Sequence, residues 1–337
     1  MIHTTDVTII GAGPVGLFAI FECGMMKLKT HVIDALPEVG GQCVALYPEK
    51  PIYDIPAHPK ILAGELIDNL KAQAAPFSPV YHLNQQVVSL QPVENQWEIT
   101  TSTGKIVRSK IVIIAAGVGA FGPNRPPLEN IESFENKSVF YHVRNMENFR
   151  GKKVVIAGGG DSAIDWALNL APIAERVTVV HRRPKFKAAP DSVGQLHELA
   201  SQGALDLAIP FQLADLDGEN GVLRQVIVSD LEGERKAIDA DYLLAFFGLS
   251  MNLGPIATWG LTLDKSHIVV DPATCQTSEA GIFAIGDIAS YPHKQKLILT
   301  GFAEAAQAAH QARSIVYPGE VFHFEYSTSK GLPGSSV

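Results

Sequence analysis

Cysteine is scarce in this chain of 337 residues, which has only Cys23, Cys43 and Cys275. Three scattered thiols do not make the disulfide framework of a small secreted domain, so packing is their expected role. Long apolar runs are missing too. None approaches the roughly 18 residues needed to span a bilayer. The first strand-like run begins by residue 6, with no basic and apolar leader ahead of it. The expectation is a soluble, cytoplasmic chain with no membrane partner. There is also no excess of positive charge. The 27 basic and 35 acidic residues leave a net charge of −8, which argues against nucleic acid as a partner. The rest is ordinary for a globular protein. With 46% hydrophobic and 18% charged residues, the chain is long enough for about two domains, each with its own core.

The opening stretch carries the first chemistry. A β-branched run over 6–10 leads into Gly11, Gly13 and Gly16, and helix formers follow. Strand, glycine turn and helix in this order suit a dinucleotide: a tight turn, close backbone approach to a pyrophosphate, and a helix packed against its strand. The next strand-like piece ends in Asp34, at about the 20-residue spacing where a carboxylate meets an adenosine ribose. A long Gly- and Pro-rich connection over 36–56 reads as a functional loop. A helix is expected over 60–75. Strands follow over 86–90, 97–101 and 106–115, forming an antiparallel meander inserted into a parallel sheet.

The opening pattern then repeats. Residues 153–157 lead into Gly158, Gly160 and Ala163, and the second strand over 176–181 ends in His181, Arg182 and Arg183, with Lys185 and Lys187 beyond. An acid in this position binds a ribose 2′-hydroxyl and repels a 2′-phosphate, whereas arginine accepts the phosphate. Charge-assisted bonds worth roughly 1.5–3 kcal/mol each are enough to select NADP over NAD. One acidic site and one basic site imply two different dinucleotides. Apolar pieces over 223–228 and 237–246 read as strands, with a Gly-Asp strand end at Gly286 and Asp287 and an Ala-rich helix over 299–313.

The fold class expected is therefore α/β, with two Rossmann-like three-layer domains, each with a small antiparallel meander. The second is inserted in the first, so residues 1–120 and 248–337 form one domain and 121–247 the other.

The two glycine units and the late Gly286–Asp287 pair resemble the two-dinucleotide-domain flavoprotein reductases. The resemblance implies FAD on the first unit and NADP(H) on the second. It also implies a helix start near Thr300 and Gly301 whose partial positive charge favours a reduced flavin. Dithiol members of that group need a pair of cysteines, an attacking and a resolving sulfur. Residues 141–149 contain no cysteine, and Cys43, after Gly40, Gly41 and Gln42, has no partner before Cys275.

Residues 40–50 and 326–329 closely resemble the ferredoxin–NADP⁺ reductases of the thioredoxin-reductase-like type. For FAD the resemblance implies Gly11, Gly13, Pro14, Val15, Asp34, Gly41, Gln42, Tyr47, Val87, Phe121, Asp287, Tyr326 and Thr328. Tyr47 lies against one flavin face and a tail aromatic such as Tyr326 against the other. For NADPH it implies Gly158, Gly160, Asp161, Ser162, Arg182, Arg183 and Lys187.

The implied reaction is hydride transfer between NADPH and flavin N5, followed by single-electron exchange with ferredoxin or a similar small iron–sulfur protein. The enzyme would be a homodimer, and the tail or one domain would move before transfer. No histidine is nominated as an acid or base. Arg144, Arg150, Lys152, Lys153, Lys294 and Lys296 are the candidate docking cations. Two other readings stay open. One is an NADPH diaphorase or oxidase acting on flavodoxin, a quinone or oxygen. The other is a non-enzymatic flavin sensor, although an NADPH site would serve no purpose there.

Overall fold

Strand Ile106–Ile114 runs down the middle of the first sheet, and its sequence explains why. Ile111, Val112, Ile113 and Ile114 are all fully buried, as expected of a strand covered on both faces. The computed structural model describes residues 2–320, except for the side chains of residues 120, 121 and 249–251. Within these limits the chain forms two units. One comprises the chain up to Phe121 and again from Met251, and the other is Gly122–Ser250.

In the first unit, strand Ile2–Ile10 pairs in parallel with Ile106–Ile114, from Ile2 opposite Ile106 to Ile10 opposite Ile114. Strand Thr30–Ile33 lies on its other side, and Val80–His82 lies beyond that, both parallel. The central strand changes partner along its far edge. Ile106–Ser109 pair antiparallel with Trp97–Thr100, whereas Val112–Ile114 pair in parallel with Ile282–Ala284. The meander and the parallel sheet thus share one strand. Alternate residues point to opposite layers. Ile9, Ile111, Ile113 and Phe283 pack in the same core as helices Pro14–Met25, Ala63–Ala74 and Ile298–Val316. Ile10, Val112, Ile114 and Ile282 pack in the other, with Val87 and Ile288.

The second unit repeats the plan with five parallel strands in the order Val139–Phe140, Tyr242–Ala245, Lys153–Ala157, Arg176–Val180 and Asp206–Ala208. Helices Asp161–Leu170 and Pro190–Ser201 accompany them. An antiparallel sheet of Gln212–Glu219, Val222–Ser229 and Arg235–Asp239 is the second meander.

One expectation is corrected here. Residues 237–246 are not a single strand: Arg235–Asp239 belongs to the meander and Tyr242–Ala245 to the parallel sheet. The chain changes sheets at Ala240 and Asp241. The Ala240 N–H donates to Arg224 O at 2.9 Å, and the Asp241 carboxylate accepts from Lys153 N at 2.9 Å.

Candidate functional site

At the first glycine turn the strand ends, and Gly11, at φ +108°, turns the backbone as only glycine does without strain. Gly13 is the N-cap of helix Pro14–Met25. No side chain caps that helix, and its first turn holds no acidic residue. Its first N–H groups are therefore open to an anion. The loop after the second strand comes up against this turn. Gly40 N donates to Ala12 O at 2.8 Å, and a Cβ on Gly41 would stand only 3.0 Å from Gly13 Cα. Bare backbone faces bare backbone, as close approach of a pyrophosphate requires.

These segments wall a cavity of about 490 Å³. Of the residues the sequence puts forward for FAD, Gly11, Gly13, Pro14, Val15, Asp34, Gly41, Gln42, Tyr47, Val87 and Asp287 all line it. The Phe121 side chain, Tyr326 and Thr328 lie outside what is described. The Asp34 carboxylate accepts from Ala12 N at 2.6 Å and from Leu36 N at 2.8 Å, which fixes it at the end of its strand. Burial raises its pKa, and the two backbone hydrogen bonds oppose that rise. Burial also pushes the Tyr47 hydroxyl upward, and the neighbouring Cys43 adds to the effect.

Two residues that sequence reading passed over belong to this wall or its support. Trp259 lines the cavity with a buried indole N–H that has no hydrogen-bond partner. Such an orphaned donor suits a ligand with acceptor atoms. Glu304, 2% exposed, lies in the Ala-rich helix and accepts from Gly286 N at 2.7 Å. A single acid among alanines was the available signal. Helix Ile298–Val316 begins earlier than expected. Gly301 N already donates to Leu297 O at 3.2 Å, so the open N–H groups belong to Ile298–Thr300. Leu297 and Ile298 line the cavity.

The second glycine turn shares the uncapped helix start but carries an acidic residue, Asp161, in the first helical turn. Gly160 caps helix Asp161–Leu170 without a side-chain bond. The segment after Arg176–Val180 folds back across it. Lys187 N donates to Gly159 O at 2.7 Å, and Ala189 N donates to the Asp161 carboxylate at 2.9 Å. Gly158, Gly160, Asp161 and Lys187 are thereby brought together, with Ser162 beside Asp161 in the first helical turn. Phe186 is buried and stacks on His181 with ring centroids 5.1 Å apart. Burial lowers the His181 pKa, against a hydrogen bond to Lys185 O that raises it. Arg182 and Arg183 are exposed and have no carboxylate partner among the described residues.

Burial raises the pKa of all three thiols. Cys43 is pushed up to about 11 and Cys275 to about 12, and Cys23 rises as well. Thiolate chemistry at neutral pH finds no support in these values. Among the described residues, no group of three or more His, Cys, Asp and Glu side chains could hold a metal ion. No helix among them is long and apolar enough to cross a membrane.

The docking cations fare unevenly. Arg150 pairs with Glu147 at 2.6 Å and Lys153 with Asp239 at 3.5 Å. The Lys294 side chain is 6% exposed and paired with Glu304, which removes it from any docking surface.

Two glycine-turn units, one cleft ending in a carboxylate and the other in arginines, define a two-dinucleotide oxidoreductase. The pyridine nucleotide-disulphide oxidoreductase family model matches residues 5–312, and the chain belongs to that family. It is similar to a ferredoxin–NADP reductase of Rhodospirillum rubrum, at 60% identity over 334 residues, covering 98% of this chain and 97% of that one. A ferredoxin–NADP reductase of Rickettsia felis is 58% identical over 330 residues, covering 98% of each chain. In structure the chain is similar to T. acidophilum thioredoxin reductase, with a TM-score of 0.80 at 23% identity, covering 93% of this chain and 98% of that one. Lactococcus lactis thioredoxin reductase gives a TM-score of 0.79 at 24% identity, covering 93% and 99%. These two likenesses concern the fold.

Proposed function

We propose that the protein is an FAD-dependent ferredoxin–NADP⁺ reductase. The observation that carries this reading is the contrast between the two glycine turns. The first ends its second strand in Asp34, half-buried and held by backbone N–H groups, and the second in exposed Arg182 and Arg183. Relatives at about 60% identity over nearly the whole chain bear the same name.

The first cavity suits FAD in its bare glycine cradle, its uncapped helix start, its ribose-binding acid and its orphaned indole N–H. Gly11, Gly13, Pro14, Val15 and Gly41 would hold the pyrophosphate, Asp34 the ribose, and Gln42, Val87 and Asp287 the remainder. Tyr47 would cover one face of the ring, and Phe121, Tyr326 and Thr328 complete the proposed set. Bound FAD supplies the exchange between the two-electron chemistry of a nicotinamide and the one-electron chemistry of an iron–sulfur protein. The apolar wall of Ile10, Ile33, Leu253 and Ile256 excludes water, and the open N–H groups of Ile298–Thr300 supply partial positive charge.

NADPH is proposed to bind the second turn, its pyrophosphate against the backbone at Gly158, Gly160, Asp161 and Ser162 and its 2′-phosphate on Arg182, Arg183 and Lys187. Ferredoxin as acceptor, a homodimer and a cytoplasmic place belong to the same proposal.

Cytochrome c reduction by NADPH, with and without added ferredoxin, tests it. Turnover that depends on ferredoxin is the expected result. Full turnover without it would establish the diaphorase reading instead.

A further inference from the structure

Where strand Ile282–Ala284 leaves the sheet, its backbone donors lose their strand partners one after another. Ile285 N still reaches Ile114 O at 3.0 Å. The next donor, Gly286 N, is buried and finds no carbonyl, and the Glu304 carboxylate takes it at 2.7 Å through Oε2. The other carboxylate oxygen, Oε1, accepts the Tyr291 hydroxyl at 2.6 Å and the Lys294 ammonium. The Glu304 side chain is 3% exposed and that of Lys294 is 6% exposed. The ammonium also lies over the Tyr291 ring, 5.2 Å from its centroid. A buried pair of this kind gives little net stability compared with apolar residues of the same volume, so its value lies in geometry.

Both stretches that Glu304 ties down form part of the dinucleotide cavity. Gly286 and Asp287 line it directly. Tyr291 and Lys294 belong to the loop that delivers Lys296, Leu297 and Ile298 to the same wall. One carboxylate therefore sets two pieces of the wall relative to each other and to the helix that bears it. We propose that Glu304 is a positioning residue for the FAD site. Through its reach to Gly286 it holds Asp287 at the cavity, and through the Tyr291 hydroxyl it holds the loop that leads to residues 296–298, while the Lys294 ammonium balances its charge. This rests on the reading of the cavity as the FAD site.

Reach and charge can be separated in the holoenzyme. E304D keeps the charge but shortens the side chain by one methylene, which draws the carboxylate back from both Gly286 N and the Tyr291 hydroxyl. E304Q/K294M keeps the full reach and an oxygen acceptor for Gly286 N, and removes both charges together. FAD retention is read from the rise in flavin fluorescence on dilution, and hydrogen exchange over residues 286–297 is read separately. E304D is expected to hold FAD about tenfold more weakly, with faster exchange confined to 286–297. E304Q/K294M is expected to stay within about threefold of the wild-type chain. Equal retention by the two variants, or the reverse order, overturns the positioning role. If E304D is too unstable to load, the double variant decides alone, because a tenfold loss despite retained reach also overturns it. A wild-type chain that binds no FAD would instead bring down the reading of the cavity itself.

Discussion

Gly11 and Gly13 stand two positions apart, yet substitution at each should fail for a different reason. A Cβ on Gly11 would lie 2.3 Å from Ala115 O, on a backbone at φ +108°. Gly11→Ala should cost the apoprotein about 2–3 kcal/mol in denaturant unfolding. Gly13 has an ordinary φ of −71°, and the nearest atom to its Cβ would be Gly41 Cα at 4.0 Å. Gly13→Ala should change stability by less than about 1 kcal/mol but weaken FAD binding more than tenfold, because its methyl fills the cradle. A flavin titration beside a melting curve distinguishes the two, and unaltered FAD affinity in Gly13→Ala would remove the cradle from the account. At the second site, Arg182→Ala should lower the preference for NADPH over NADH by roughly 10- to 100-fold in kcat/KM, equivalent to about 1.5–3 kcal/mol. Stopped-flow reduction with each cofactor measures it, and an unchanged ratio would mean that the 2′-phosphate lies elsewhere. Because burial raises the pKa of every cysteine, iodoacetamide at neutral pH should leave the folded chain unmodified by mass spectrometry.

Among the elements, the edge of the first sheet carries a histidine relay with a definite tautomer. The Lys105 ammonium can only donate, so His82 Nδ1 accepts from it at 3.0 Å and His82 Nε2–H donates to His31 Nδ1 at 3.0 Å. The His3 ring lies 5.4 Å from that of His82. Burial first, and then Lys105 and the neighbouring imidazoles, lower His82 from 6.5 to about 4, and His31 is lowered for related reasons. At His82 the unfolded chain takes up its proton near 6.5, and the folded chain resists until about 4. The stability at stake is therefore intact above pH 6.5 and lost as the pH falls towards 4. Denaturant midpoints should drop across that window, and less steeply in His82→Gln. Equal slopes would count against the relay. Elements whose local pattern agrees with their environment were legible from sequence: both glycine turns, strand Ile106–Ile114 and helix Ala63–Ala74 with its buried Leu66, Ile67 and Leu70. Helix Pro190–Ser201 was missed although Val193, Leu196 and Leu199 recur at helical spacing, because the stripe is short, is interrupted by Gly194 and buries only Leu196. The break at Ala240 and Asp241 was missed because a strand that changes sheets keeps the composition of a strand. In the site, residues set by backbone motifs were readable. Trp259 and Glu304 were not, because their roles depend on partners that meet them only in the folded chain.

At the scale of the whole molecule, the inserted unit has a core of its own, in which Leu128, Ile131 and Phe134 pack with Val226, Val228 and Leu243. A fragment of residues 122–250 should therefore unfold cooperatively and be retained by immobilised NADP⁺, and an unstructured fragment by circular dichroism would refute its autonomy. The first unit has no such independence in time. The edge of strand Ile106–Ile114 at Val112–Ile114 waits for Ile282–Ala284, which follows after the whole insertion. At 5–20 residues per second, the roughly 170 intervening residues take about 10–30 s to synthesise. During that interval the nascent chain exposes an unpaired apolar edge, the kind of surface that recruits other chains. The insertion can fold in the same interval and sequester its own apolar residues. The proposed FAD cavity, begun at Ile10, is closed only after helix Ile298–Val316 has left the ribosome, so the cofactor would be loaded only once that helix has emerged.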